Sequence, residues 1–315
     1  MPRRLLLLMS LAVLLLAVAG CGSSSTRPGT IKVVATTTQL GDMVRQIGGD
    51  AVDVHQILRA NTDPHDYEPR PRDIQETADA KVVVTSGDGL DHWIGEVMDN
   101  AGGSPAVLDA SAGQPVRRPG EDGEGTDPHW WHDPRNVEHA IGRIRDALVQ
   151  AEPGKRAAIE RGAAAYLSKV KAMDAGIARC FARVPAAQRK LVTDHDAFGY
   201  FVARYGIAVV GAVIPSQTTQ AQPSAGDLAK LVSTIRREHV TAVFPESSIN
   251  SKLADAIARE TGATADHELY GDTLGPAGSA GDTYISMERA NADAMVQGFT
   301  DGRQRCAPPA PAPAR

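Results

Sequence analysis

Short β-branched runs alternate with longer amphipathic stretches along this chain of 315 residues. The runs cover residues 31–37, 52–58, 81–86 and 106–108, then 190–193, 208–213, 241–244 and 263–269, with Gly, Pro, Asp and Ser at their borders. That pattern predicts strands. Between them, apolar residues recur at helical spacing over 39–47, 91–101, 135–150, 228–238, 249–260 and 283–298. Ser224 followed by Asp227 predicts a capping box at the start of one of these helices. Alternating strands and helices imply an α/β fold with parallel sheets built from βαβ units. No repeat of 20–50 residues is visible in the sequence.

Two such α/β halves are joined by an unusual segment. From 155 to 182 the chain is rich in Ala, Lys, Arg and Glu, with apolar residues at Ile159, Ala163, Tyr166, Leu167, Val170, Met173 and Ile177. The spacing predicts one helix about 40 Å long. The alternative is two shorter helices broken at Gly162 or Gly176, since glycine costs about 1 kcal/mol against alanine inside a helix. The expected organisation is an N-terminal lobe over 31–153, a linking helix over 154–183 and a C-terminal lobe over 184–306. A Pro/Ala-rich tail follows at 307–315, expected to be disordered.

The N-terminus changes where this protein is expected to work. Arg3 and Arg4 precede an apolar run over 5–19, shorter than the roughly 20 residues that span a membrane. Charge, short apolar core and small residues make 1–20 a secretory signal. Val18-Ala19-Gly20-Cys21 resembles the lipobox of bacterial lipoproteins, which implies cleavage before Cys21 and a diacylglycerol on its sulfur. Residues 21–30 then form a flexible tether, and the protein is expected outside the cytoplasm, held to the cell membrane by lipid. The net charge of −5 becomes more negative once the signal is removed, which argues against nucleic acid as a partner. Cys180 and Cys306 are the remaining thiols, and outside the cytoplasm two leftover thiols are expected to pair. A buried free thiol at Cys180 is the alternative.

Four segments carry candidate chemistry: DPHDYEP (63–69), DPHWWHDP (127–134), TDHDAFGYF (193–201) and LYGDTLG (269–275). Each lies just after an expected strand or in a strand-to-helix loop, where open α/β sheets bind ligands. Imidazole and carboxylate are ligands that Zn²⁺ takes, usually four in a tetrahedron. The candidates are His65, His129, His195 and Asp272, two from each half. Any one histidine is more often a surface or hydrogen-bonded residue. The repeated Asp-Pro-His context, in which Asp-Pro fixes a turn ahead of the ring, speaks for a shared site.

The four segments, in this order and with a long helix between the second and third, resemble the cluster A-I metal receptors. These are the zinc- and manganese-binding solute receptors of bacterial ABC importers. The likeness runs over about 31–300. It implies two lobes bridged by a backbone helix with the metal between them, the permease of an ABC importer as partner, and a monomeric receptor. By motif match it assigns His65, His129, His195 and Asp272 as ligands. His132, where the family often has an apolar residue, is the rival to His129. Three imidazoles and one carboxylate imply Zn²⁺, whereas Mn²⁺ sites lean toward more oxygen ligands, so Mn²⁺ is the alternative cargo. Many zinc members carry a His-rich loop before the second ligand. Here 117–125 is acidic without histidine and reads as a solvated loop.

Two rival classes remain. A zinc hydrolase would keep three ligands and an open water position, with Glu68 or Asp196 as base. The sequence has no HExxH and no Ser or Cys nucleophile motif. A structural lipoprotein whose metal only stabilises the fold is the second. His55, His92, His139, His239 and His267 read as solvated or hydrogen-bonded residues. Trp93, Trp130 and Trp131 fit either a cleft wall or a core. Asp66, Glu68, Asp133, Asp194 and Asp196 adjoin ligand positions and are candidates for orienting imidazoles. Because ordinary imidazoles ligate only when neutral, metal affinity is expected to fall as pH drops through about 6.

Overall fold

Four parallel strands open the fold, β1 (Ile31–Ala35), β2 (Val52–Gln56), β3 (Val82–Thr85) and β4 (Ala106–Asp109), in the order β2-β1-β3-β4. The computed structural model describes residues 29–306. The signal, Cys21, most of the tether and the 307–315 tail lie outside the described residues. Apart from Lys32 and Thr85 the central strands β1 and β3 are apolar, because both their faces are covered, as parallel sheets require. The helices α1 (Thr38–Gly48), α2 (Pro71–Ala78), α3 (Ile94–Ala101) and α4 (Pro134–Ala151) complete this half.

The second half repeats the same order. Strands β5 (Lys190–His195) and β6 (Ala208–Ile214) pair in parallel. Two further segments add parallel bridges at Thr193–Phe244, Ala242–Thr264 and Glu246–Leu269. The arrangement is again second, first, third, fourth. The predicted strands at 241–244 and 263–269 are therefore present as pairings but not as regular strands. Pro245 has no N–H to give the ladder; its carbonyl accepts from Leu269 N and the pairing resumes on either side. The helices here are α6 (Gly199–Tyr205), α7 (Ala225–Glu238), α8 (Lys252–Thr261) and α9 (Tyr284–Phe299). Ser224 and Asp227 form the predicted reciprocal cap of α7.

Between the halves runs α5 (Arg156–Phe181), 26 residues without a break. It buries Ile159, Ala163, Tyr166, Val170, Met173 and Ile177 as their spacing predicts, with Leu167 at the margin. Gly162 does not break the helix. A Cβ there would fall on the Ile47 carbonyl oxygen, so the glycine lets α5 lie directly against the end of α1. Helix α5 packs on α1 and α4 on one side and on α6 and α9 on the other. One hydrophobic cluster consequently runs from Ile31 through α5 to Phe299. Asp42 of α1 ties the same three-way junction, accepting the Tyr284 N–H of α9 at 3.0 Å and the Tyr166 hydroxyl of α5 at 3.5 Å.

Two helices escape the periodicity. Helix α2 offers only Ile74 as a large apolar residue and is started by Asp73, which accepts from Arg70 N and from the Tyr67 hydroxyl. Helix α6 reads GYFVARY, aromatic and β-branched residues that favour strands when local preference alone decides.

Cys180 near the end of α5 is bonded to Cys306, with Cα atoms 5.5 Å apart and a sequence separation of 126. The bond fastens the segment after α9 to the backbone helix. In the chain-entropy picture a loop of this length stabilises by roughly 4–5 kcal/mol at most. Thiol titration of a chain beginning after Cys21 should find no free thiol before reduction and two after reduction and unfolding. Two free thiols in the untreated protein would disprove the pairing.

Candidate metal centre

Each of the four expected residues sits at the carboxyl end of a strand-like segment or in the loop beyond it. His65 follows β2, His129 lies in the loop between β4 and α4, His195 ends β5, and Asp272 follows the pairing at Leu269. The repeated Asp-Pro-His context works through its aspartates. Asp63 Oδ1 accepts His65 N at 2.9 Å, and Asp127 Oδ1 accepts His129 N at 3.0 Å. Both are short turns closed by a side chain onto the backbone two residues on.

The structure brings all four together, with one potential ligand atom from each within 4.8 Å of the others. His129 Nε2 is 3.3 Å from Asp272 Oδ1, while His195 Nε2 and His65 Nε2 are 3.4 Å and 3.6 Å from Oδ2. The Nε2 atoms of His129 and His195 are 3.4 Å apart. A tetrahedral ion with bonds of about 2.0–2.1 Å sets its ligand atoms about 3.3–3.4 Å from one another. His129, His195 and Asp272 are fully buried and His65 is 8% exposed. His65 Nε2 and both Asp272 oxygens have no hydrogen-bond partner, a costly state for buried polar atoms unless a cation satisfies them.

Two rings have their tautomer fixed from behind. His129 Nδ1 donates to Asp127 Oδ1 at 2.8 Å and His195 Nδ1 to Glu246 Oε1 at 2.9 Å, so both Nε2 atoms face the cluster. Asp127 was visible inside its motif. Glu246 lies 51 residues from His195, and only its place beyond an expected strand hinted at a role. Asp194 supports it by accepting Glu246 N at 2.8 Å. The other expected orienting residues do different things. Asp66 and Glu68 are exposed, Asp133 starts α4 and pairs with Arg135, and Asp196 gives its N–H to the Ser216 carbonyl.

Charge within the cluster is strongly redistributed. Burial lowers the pKa of His65, only partly opposed by Asp272, to about 4. Burial also lowers that of His129, but Asp127 and Asp272 together outweigh it and raise the ring to about 10. His195 is raised to about 9, burial being outweighed by Glu246 and Asp272. Burial alone would raise Asp272, yet the three imidazoles hold its carboxyl well below the usual range.

The indoles secure the backbone around the site. Trp93 Nε1 donates to the Pro64 carbonyl and Trp131 Nε1 to the Gly271 carbonyl, each at 3.1 Å. Those carbonyls immediately precede His65 and Asp272. Trp130 Nε1 donates to Ser86 O. His132 is fully buried but stands outside the cluster, bonded to Glu288 and to Gly271 O. His55 and His139 have ordinary partners in Asp73 and the Ala112 carbonyl, and His239 is the left-handed residue ending α7.

A cavity of about 310 Å³ opens onto His65, walled by His92, Glu121, Glu124, Gln217 and Gln220 among others. The loop at 117–125 is more than a solvated excursion. Arg117 pairs with Asp88, and Glu121 Oε2 accepts the Ser216 hydroxyl at 2.6 Å, linking the two halves across this opening. Thr219 and Gln220 of the second half reach back to Asp63 Oδ2 and the His65 carbonyl.

Comparison with known proteins places this arrangement. A sequence model described as ZnuA, zinc-uptake complex component A, periplasmic, matches residues 33–298. The manganese-binding lipoprotein MntA of Halalkalibacterium halodurans is 30% identical over 292 residues, covering 91% of this chain and 96% of MntA. The iron-binding protein YfeA of Yersinia pestis is 33% identical over 269 residues, covering 85% and 86%. Among solved structures, the periplasmic zinc-binding protein TroA of Treponema pallidum superposes with a TM-score of 0.81 at 30% identity, covering 86% of this chain and 99% of TroA. With a family match across most of its length and relatives of this similarity, the chain belongs to the ZnuA family of periplasmic metal-uptake components.

Proposed function

We propose that this protein captures one transition-metal ion outside the cytoplasm, zinc in the first instance, and delivers it to the permease of an ABC importer. His65, His129, His195 and Asp272 are the proposed ligands. The observation that carries the reading is the set of buried, inward-facing nitrogens and oxygens within 4.8 Å of one another, four of the pairs at 3.3–3.6 Å and three of the atoms lacking any hydrogen-bond partner. Three imidazoles and a carboxylate favour Zn²⁺ over Mn²⁺ at a given nitrogen-rich site. Manganese is the second reading, supported by the position of both Asp272 oxygens near the rings and by the name of MntA. The family is one of solute receptors, not enzymes. Four protein groups converging on one point support the same conclusion, because hydrolysis needs an open water position.

The relatives include lipoproteins, which supports an extracytoplasmic, membrane-attached location. Lipid on Cys21 and a monomeric receptor complete the proposal. Its working units are lobes over 31–153 and 184–306 with the 154–183 segment between them.

His65→Ala, His129→Ala and His195→Ala are each expected to lower zinc affinity at least about tenfold in titration calorimetry, since each removes a direct bond. Unchanged affinity in any one variant would remove that residue from the site. Metal should also raise the melting temperature, because an ion bound only by the native state contributes about 4 kcal/mol at a free concentration about a thousandfold above Kd. An unshifted midpoint with zinc at pH 7.5 would sink the receptor reading.

Proton release is the sharper signature. His65, with its pKa lowered to about 4, is already neutral at pH 7 and gives up nothing. His129 and His195, raised to about 10 and about 9, hold Nε2 protons that the ion must displace. Affinity should therefore fall as pH drops across the whole range below about 9, not only below the ordinary histidine value near 6. About two protons should leave per ion at pH 7.5, with affinity changing about a hundredfold per pH unit. Calorimetry in buffers of different ionisation enthalpy measures the number, and release close to zero would refute the charge assignment.

A further inference from the structure

Directly behind the four candidate ligands lies a buried pair that they do not use. His132 and Glu288 are 0% and 1% exposed. His132 Nδ1 is 2.9 Å from Glu288 Oε1 on α9, and its Nε2 is 3.1 Å from the Gly271 carbonyl oxygen. The ring lies stacked on Phe198, with centroids 4.6 Å apart. A carbonyl oxygen only accepts, so Nε2 carries a proton, and a second proton lies between Nδ1 and Oε1. Whichever of those two atoms holds it, the pair is neutral overall and Nε2–H still points at Gly271. Burial holds the Glu288 carboxyl above its ordinary range, consistent with a proton kept in the pair.

The Gly271 carbonyl receives two donors from one segment, Trp131 Nε1 and His132 Nε2, both at 3.1 Å. The α-carbon of Gly271 is hemmed in elsewhere, since a Cβ on it would strike Glu246 Oε2. The other oxygen of Glu246 orients His195. On the far side of Asp272, its own carbonyl accepts Gln39 Nε2 at 2.8 Å. The peptides before and after Asp272 are thus both held. This matters because the Asp272 carboxylate has no hydrogen bond of its own, whereas His129 and His195 each have a carboxylate behind the ring. Apart from the imidazoles it faces, its direction is set by the backbone.

We infer that His132 is a positioning residue for metal capture: with Trp131 it clamps the Gly271 carbonyl so that the Asp272 carboxylate faces His129 and His195, and Glu288 fixes the ring for that task. The inference rests on the four residues being ligands. It predicts that the segment supplying one imidazole also sets the carboxylate opposite it.

The test begins with wild-type protein titrated with Zn²⁺ and, separately, with Co²⁺, whose visible spectrum reports ligand geometry. Failure of the wild type to bind either ion refutes the proposed function itself. Given binding, His132→Leu should lower zinc affinity roughly 10- to 100-fold and change the Co²⁺ spectrum. His132→Gln, whose amide retains a donor for Gly271, should recover part of both. Glu288→Leu, which leaves Nδ1 without a partner, should shift affinity and spectrum in the same direction, and Glu288→Gln should recover most of that loss. If His132→Leu does not fold, the Glu288 variants decide alone. A wild-type spectrum and affinity in His132→Leu would overturn the inference. So would lowered affinity with an unchanged Co²⁺ spectrum in both His132 variants, which marks a packing defect only.

Discussion

Helix α5 and the large hydrophobic cluster around it are the constraint on which everything else depends. A helix that packs on α1 and α4 and also on α6 and α9 joins the inner faces of both sheets in one hydrophobic cluster, while each sheet keeps a smaller cluster on its other face. Opening the halves by a wide hinge would expose apolar surface at about 25 cal/mol per Å², a term that grows quickly over a 26-residue contact. The carboxyl ends of both sheets are therefore held at a nearly fixed separation. Any movement that would admit or free an ion has to come from loops at the cleft, where contacts such as Glu121–Ser216, Thr219–Asp63 and Gln220–His65 are polar.

That rigidity explains how the site is assembled. Two imidazoles from one half and an imidazole and a carboxylate from the other meet at 3.3–3.6 Å, a precision that loosely joined lobes would not hold. The cluster pairs one low-pKa ring with two high-pKa rings around a strongly acidic carboxylate. A divalent ion replacing two protons leaves the buried charge almost unchanged. Desolvation, the largest single influence on each of these groups, is then borne by the fold with or without metal.

Much of this was legible in the sequence because local signals agreed with tertiary ones. The strands of the first sheet, the 3.6-residue stripe of α5 and the Ser224 cap are local patterns, and the fold keeps them. The four candidate ligands were visible through their Asp-Pro-His and strand-end contexts and through the family likeness. What could not be read depends on distant partners. Glu246 orients His195 across 51 residues, and Glu288 meets His132 across 156. Helix α6 was hidden by its aromatic and β-branched composition. The acidic loop at 117–125 gave no hint that Glu121 would meet Ser216 in the other half.

Both sheets share the order second, first, third, fourth, and the cluster draws two members from each half. Synthesis and export deliver the first half before the second. A nascent chain that has emerged as far as α5 presents only His65 and His129, a weak bidentate site without a carboxylate opposite. On the proposed ligand set, high-affinity capture would wait for Asp272, and closure of the Cys180–Cys306 bond waits for residues beyond α9. Under the proposed function, metal retention and oxidative locking would both be marks of a finished molecule, and an unfinished one would hold an ion too loosely to compete for it.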